Sequence, residues 1–145
     1  MKVIKEFPVS AQVFMKHIRD SIQHDLDMNG ALKIKVVQGI EYDKEMSNRI
    51  GSKARVRVKI ATLNDNIYQA EFFGNEGITK ITYRCNPSDD ENTLVTYCEE
   101  FVGETKMKQL NYKLMCWLYK RKNLKRVHLL LDAIEHHLLK ENSDV

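Results

Sequence analysis

The chain has 145 residues, of which 43% are apolar and 30% are charged, and its formal net charge is +3. This length predicts a single domain over residues 1–145, and the apolar fraction with so small a net charge excludes a disordered chain. The longest apolar run, residues 114–119, is far shorter than the ~20 residues that cross a bilayer, and residues 1–6 lack the apolar core of a signal peptide, so we expect a cytoplasmic protein without a transmembrane segment.

A strand and a helix are predicted first. Residues 2–7 alternate between two faces and are typical of a strand, which Pro8 ends. Ser10 is a favourable residue for a helix N-cap, and Gly30 is a favourable residue for a helix end. Between them, large apolar residues recur at helical spacing, which predicts a helix over residues 11–28. These apolar residues are Val13, Phe14, Ile18, Ile22 and Leu26.

Five strands follow, because the apolar pattern then changes to period two. The predicted strands are 40–46, 54–63, 67–73, 78–86 and 93–102. Short segments of turn residues separate them, which predicts antiparallel hairpins. If apolar residues share one face, Tyr42, Val58, Ala70, Ile81 and Glu99 form one inner row, and Ile40, Ile60, Tyr68, Tyr83 and Tyr97 form the next.

The same register gives the other face alternating charges. Arg57 then lies opposite Glu71, Glu71 opposite Lys80, and Lys80 opposite Glu100. Cross-strand ion pairs contribute only a few tenths of a kcal/mol each, but like charges would oppose the pairing. This agreement predicts a five-stranded antiparallel meander with one solvated face.

A long helix is predicted over residues 106–141. It would span about 54 Å, whereas strands of eight residues are only about 26 Å long, so the helix must overhang the sheet or break. Its apolar residues form two stripes rotated by roughly 100° from each other, which predicts a bend at 120–123. One stripe comprises Met107, Leu110, Leu114, Trp117 and Leu118, and the other comprises Leu124, Val127, Leu131, Ile134 and Leu138.

This order of elements resembles the START-like superfamily, an α+β class with a helix-grip fold. The resemblance is carried by MKVIKEFPVSAQVFMKHI at 1–18, TLVTYCEEF at 93–101 and KRKNLKRVHLLLDAIEHHL at 120–138. A closer resemblance is to a small bacterial family of unknown function, mostly from Gram-positive bacteria. The superfamily implies a curved antiparallel sheet around a long C-terminal helix and an apolar ligand in a cavity between them. The closer family brings no established catalytic residue to this chain, and we expect no cofactor.

Aromatic residues dominate the inner face of the predicted sheet. They are typical of the apolar walls of a small-molecule pocket, in which phenol groups provide polar contacts. The alternative is a filled core whose hydroxyl groups reach water or backbone partners. The candidate lining residues are Tyr42, Tyr68, Tyr83 and Tyr97 on the sheet, with Tyr112 and Trp117 on the facing helix.

Glu99 is the most informative single residue. Its alternation with Tyr97 and Phe101 points it toward the concave face, where a carboxylate needs a partner, and Lys44 is a candidate. Glu99 would then contact a ligand or act as a general base. The alternative, which we favour, is a β-bulge at Glu99-Glu100 that turns the carboxylate outward.

The C-terminal helix is strongly basic. Residues 106–126 contain eight Lys or Arg and no acid, and the densest cluster is Lys120, Arg121, Lys122, Lys125 and Arg126. This basic patch could contact an anionic membrane or nucleic acid. The alternative is a solvated helix face that complements an acidic hairpin.

No other motif indicates a metal or a nucleophile. His128, Asp132 and His136 share one helix face but give poor tetrahedral closure, so we expect no metal site. The three cysteines are expected to be reduced, and Cys85 and Cys98 fall on opposite sheet faces.

The leading hypothesis is a non-catalytic protein that binds a small apolar or amphipathic ligand between the sheet and the last helix. The alternative is an interaction module that binds an anionic membrane or nucleic acid, or forms a homodimer, through the basic helix. A third hypothesis is an enzyme of the cyclase or dehydrase type, with Glu99 as its base.

Overall fold

The computed structural model describes residues 1–28, 30, 34–47, 53–88 and 91–143. The elements are β1 (Lys2–Phe7), α1 (Ala11–Met28), β2 (Glu41–Ser47), β3 (Lys53–Leu63), β4 (Ile67–Phe73), β5 (Gly77–Pro87), β6 (Thr93–Gly103), α2 (Lys106–Leu118) and α3 (Lys120–Ser143). Every predicted strand and helix is present, and each strand end lies within one residue of its predicted position.

The described strands form one antiparallel sheet in the order β1-β6-β5-β4-β3-β2. The five consecutive strands are the predicted meander, and β1 extends it at the β6 edge. Within the described ranges three helices accompany this sheet, so the predicted α+β architecture is confirmed.

The register is confirmed through the centre of the sheet. Tyr68 pairs with Tyr83, and Tyr83 pairs with Tyr97, as predicted for one inner row. Their rings lie next to each other, with centroids 5.9 Å apart in the first pair and 5.2 Å apart in the second. The row therefore forms a continuous aromatic layer across three strands.

The predicted register between β3 and β4 is wrong by two residues. Val58 pairs with Phe72 rather than with Ala70, and the pairing shifts again at a bulge between Ile60 and Thr62. A side chain changes face with every residue along a strand, so a displacement of two leaves the same residues on the inner face. The apolar pattern therefore could not distinguish the two registers.

Because of this shift, the charged pairs on the outer face differ from the predicted ones. Lys59, and not Arg57, lies opposite Glu71, while Lys80 lies opposite Glu71 and opposite Glu100 as predicted. Arg57 instead forms an ion pair with Glu41 of β2, with 3.3 Å between nitrogen and oxygen. Alternating charge along this face is retained.

The core lies between the inner sheet face, α1 and α3. The Ser10 side chain accepts a hydrogen bond from the backbone N–H of Val13 (3.2 Å), which confirms its predicted role as the N-cap of α1. Phe14 of α1 contacts Phe7 and Tyr83, with centroids 5.1 Å and 5.8 Å away. The largest fully buried side chains are Tyr97, Phe7, Phe14, Met15, Leu26, Ile60, Leu131 and Leu138.

The C-terminal helix breaks at Tyr119, one residue before the predicted segment. The second predicted stripe is confirmed as core, because Val127, Leu131, Ile134 and Leu138 of α3 are buried and Leu124 is partly buried. The first stripe does not face the sheet. No residue of α2 is buried, so the expectation that Trp117 lies on a helix face turned toward the sheet is wrong.

Candidate ligand-binding site

Glu99 points toward the concave face of the sheet. Regular pairing of Lys80 with Glu100 and of Ile81 with Glu99 continues through this part of β6. The bulge interpretation that the sequence favoured is therefore wrong, and alternation alone sets the direction of the side chain. The carboxylate is largely shielded from water, since only 14% of the Glu99 side chain is exposed.

Arg126 of α3 is the partner of this carboxylate. Its guanidinium nitrogen lies 2.8 Å from a Glu99 oxygen, and the Tyr97 hydroxyl donates to the same oxygen at 3.4 Å. Lys44, the partner considered from the sequence, pairs instead with Asp25 of α1 at 2.9 Å. The inward carboxylate is thus compensated, because α3 supplies a cation and Tyr97, two residues earlier on β6, supplies a hydroxyl.

The pair also affects the titration of its neighbours. Burial, together with the negative charge of Glu99, raises the pKa of Tyr97 to about 12. Burial lowers the pKa of Arg126, but its hydrogen bond to Glu99 and the charge of Glu99 outweigh burial and leave this pKa raised. The site therefore holds a neutral phenol and a charged guanidinium around one carboxylate oxygen.

A groove of about 540 Å³, which we call the elbow hollow, lies between the α2–α3 junction, β6 and the start of β1. Its lining residues are Met1, Lys2, Glu99, Glu100, Gln109, Tyr112, Lys113, Cys116, Trp117, Lys120, Asn123, Leu124 and Arg126.

A second groove of about 400 Å³, the sheet hollow, lies on the inner face at the other side of the ion pair. Its lining residues are Met46, Val56, Phe72, Gly74, Asn75, Glu76, Gly77, Thr79, Ile81, Glu99, Phe101 and Arg126. Glu99 and Arg126 line both hollows, so the ion pair is their shared wall.

The four tyrosines proposed on the sheet do not line either hollow. Tyr42, Tyr68, Tyr83 and Tyr97 are at most 8% exposed and belong to the packed core. Burial is the largest cause of their raised pKa values. Their arrangement corresponds to the filled-core alternative and not to pocket walls, apart from the contact of Tyr97 with Glu99.

The remaining candidates divide between the elbow hollow and the surface. Tyr112 and Trp117 reach the elbow hollow from α2, although Trp117 is 74% exposed and lies at its rim. Lys120 and Arg126 of the basic patch also line it. Arg121, Lys122 and Lys125 are exposed and line neither hollow.

Gln109 is a positioning residue that the sequence analysis did not identify. Its side chain accepts a hydrogen bond from the backbone of Gly103 and donates one to the carbonyl of Phe101, which ties α2 to the end of β6. A Cβ at Gly103 would lie 2.6 Å from the Gln109 backbone nitrogen, so this close approach requires glycine. A lone glutamine near a helix start carries no signal from which such a role could be predicted.

Among the described residues, no three His, Cys, Asp or Glu side chains are placed to hold a metal ion. Asp132, one of the residues considered for a metal, pairs with Lys5 at 2.8 Å. Within the same part of the chain, no helix is both long enough and apolar enough to cross a bilayer. Cys85, Cys98 and Cys116 are free thiols, and burial raises the pKa of Cys85 to about 11.

Solved structures share this architecture. A protein of unknown function from Staphylococcus aureus, SA2116, superposes with a TM-score of 0.64 at 15% identity, over 100% of this chain and 96% of that one. Ara h 8.0201 gives a TM-score of 0.63 at 13% identity, over 97% of each chain. Norcoclaurine synthase from Thalictrum flavum, in complex with dopamine and hydroxybenzaldehyde, gives 0.63 at 12% identity, over 97% of this chain and 86% of that one.

These likenesses, all under 25% identity, show a common fold, which is the START-like helix-grip fold indicated by the sequence. No curated protein matches the chain in sequence. A family model described as "Domain of unknown function (DUF3284)" matches residues 1–120, so this protein belongs to that family.

Proposed function

We propose that this protein binds a small amphipathic molecule in the elbow hollow. The observation that carries the proposal is an open groove of about 540 Å³ with a charged pair at its inner wall and apolar side chains around it. Small-molecule sites typically occupy about 300–1,000 Å³ and combine apolar walls with a few well-placed polar groups.

The lining suggests the chemistry of the ligand. Tyr112, Trp117 and Leu124 offer apolar surface, and the Tyr112 ring is held against Phe101 with centroids 4.4 Å apart. Four cations and two carboxylates share the lining; the cations are Lys2, Lys113, Lys120 and Arg126. An excess of positive charge favours a molecule with an anionic or strongly polar end, whose apolar part lies against α2.

The fold is compatible with this proposal. The Thalictrum flavum synthase holds two small aromatic molecules on the same architecture. That likeness concerns the fold alone, so the choice of the elbow hollow and of an amphipathic ligand rests on the residues of this chain.

Thermal unfolding in the presence of fatty acids and aromatic polyketides tests the proposal. A ligand present at a hundred times its dissociation constant stabilises the folded chain by about 2.7 kcal/mol, which raises Tm by several degrees. We expect such a rise with at least one of these amphiphiles, and a smaller rise with the corresponding uncharged alcohol of a fatty acid.

Cys116→Trp supplies the test variant, because it fills the elbow hollow, and Leu129→Trp, at a position that is 60% exposed on α3 and lines neither hollow, is the control. The rise in Tm should be lost in the first variant and kept in the second. Absence of any rise, or a rise that survives Cys116→Trp, would refute the proposal. Conversion of a polyketide to a product in the same mixtures would instead favour the cyclase or dehydrase alternative, with Glu99 as its base.

A further inference from the structure

Helix α2 turns its apolar face away from the protein. Five large apolar side chains on it are 52–74% exposed, and at 100° per residue they fall within an arc of about 100°. They are Met107, Leu110, Leu114, Trp117 and Leu118. Helices of globular proteins normally turn such a stripe toward the core, and a contiguous exposed apolar patch marks an interaction surface.

The contacts of the opposite face fix this orientation. Gln109 bonds to the end of β6, and the Tyr112 ring packs on Phe101. At the start of the helix, the Thr105 side chain accepts a hydrogen bond from the backbone of Lys108 at 3.1 Å. Rotation of α2 about its axis to turn the stripe toward the sheet would break these contacts. The contacts therefore hold the stripe on the outward side of the helix.

Cations border one side of the stripe and follow it along the chain. Residues 105–126 contain eight Lys or Arg and no Asp or Glu. On α2, Lys106 and Lys113 border the stripe, and the exposed cluster Lys120, Arg121 and Lys122 follows at the junction with α3. An apolar helix face with Trp and Leu, bordered by Lys and Arg, is the pattern of helices that lie in the interface of an anionic bilayer.

A second copy of the chain fits the same face less well. The stripe has coiled-coil spacing at Met107, Leu110, Leu114 and Trp117, but it covers only two heptads. Lys106, Lys113 and Lys120 lie seven residues apart along one side of it. In an antiparallel pair of helices these Lys rows would face each other across the seam, and their like charges would oppose association.

We propose that α2 docks on the surface of an anionic lipid bilayer. The five apolar side chains enter the boundary between headgroups and acyl chains, and the bordering Lys and Arg contact lipid phosphates. Lys113, Trp117 and Lys120 also line the elbow hollow, so docking would place this open groove beside the bilayer. Docking does not require the ligand proposed above, and its test uses no ligand.

Trp117 provides the measurement, because it is the one tryptophan of the chain and lies on the docking face. Its fluorescence should shift to shorter wavelength on vesicles that mix phosphatidylcholine with phosphatidylglycerol. Vesicles of phosphatidylcholine alone should produce little shift, and added salt should weaken binding to the mixed vesicles.

Two sets of variants separate the apolar and charged contributions. Leu114→Glu should abolish binding, whereas the matched control Leu129→Glu, at a position 60% exposed on α3, should bind as the parent does. Replacing Lys120, Arg121 and Lys122 by Ala should weaken binding about 100-fold at low salt. All five positions are exposed, so circular dichroism and Tm should remain close to those of the parent.

Several results would overturn the proposal. Binding that is equal on neutral vesicles, or unchanged in Leu114→Glu, would exclude anionic bilayer docking through α2. A fluorescence shift that needs no vesicles and grows with protein concentration would assign the face to a second copy. A shift produced by polyglutamate or by a DNA oligonucleotide, but not by vesicles, would assign it to an acidic protein or to nucleic acid.

Discussion

Removing the Glu99–Arg126 pair gives a quantitative test of the site. Exposed ion pairs contribute about 0.2–1 kcal/mol, and breaking a fully buried pair costs about 3–5 kcal/mol. Glu99 is only 14% exposed, but Arg126 is 53% exposed, so solvent screens the interaction strongly. We therefore expect a coupling energy of about 1 kcal/mol, near the upper end of the exposed range.

A double-mutant cycle measures this coupling. Glu99→Gln, Arg126→Met and the double variant are unfolded in urea beside the parent, and the coupling is the departure of their free energies of unfolding from additivity. Glu99→Gln keeps an acceptor for the Tyr97 hydroxyl. The control cycle uses Glu41 and Arg57, whose side chains are 43% and 54% exposed, and should give about 0.3 kcal/mol. A coupling at Glu99–Arg126 no larger than this control would refute the placement of the pair at the inner wall.

Two further predictions concern the core. Leu131→Ala should lower the free energy of unfolding by about 3 kcal/mol, whereas Leu129→Ala, two residues earlier on the exposed side of α3, should change it by no more than about 0.5 kcal/mol; equal losses in urea unfolding would contradict the orientation of α3. Stability should also fall as pH rises from 10 toward about 12, because burial raises the pKa of Tyr97 to about 12 and the folded chain keeps a phenol proton that the unfolded chain loses above 10. Urea midpoints across this range should decline less steeply in Tyr97→Phe, and an unchanged slope would contradict the buried phenol.

Most of the fold follows from periodicity, because alternation and helical spacing report which residues share a face. They do not distinguish two registers of a strand pair that place the same residues on the same face of the sheet. The predicted β3–β4 register is therefore wrong by two residues, since Val58 lies on the buried inner face in the predicted and in the observed register. What sets the true register is local: the Asn64 side chain accepts from the backbone N–H groups of Asn66 and Ile67, and a bulge follows Ile60. The turn residues indicate that the chain reverses here, but they do not give the number of residues in the turn or the position of the bulge.

The candidate site was less predictable because it depends on the rotation of α3. The alternation of β6 pointed Glu99 inward, but the cost of an unpaired carboxylate favoured a bulge. That argument failed because the compensating cation comes from Arg126, 27 residues later, beyond the helix break at Tyr119. Arg126 was identified only as part of a basic patch, since no pattern in the sequence gives the angle at which α3 continues after the break.

The two halves of the C-terminal helical region have separate physical roles. Each carries an apolar stripe, yet only that of α3 is buried, so α3 contributes to the core and α2 adds almost no buried apolar area. Hydrophobic stabilisation scales with the apolar area removed from water, so changes to the α2 stripe should leave the free energy of unfolding nearly unchanged. The exposure of these five large apolar side chains to water is consistent with the proposed docking of α2 on a bilayer. The break at Tyr119 makes this possible, because it lets one amphipathic helix close the core while the preceding one faces outward beside the elbow hollow.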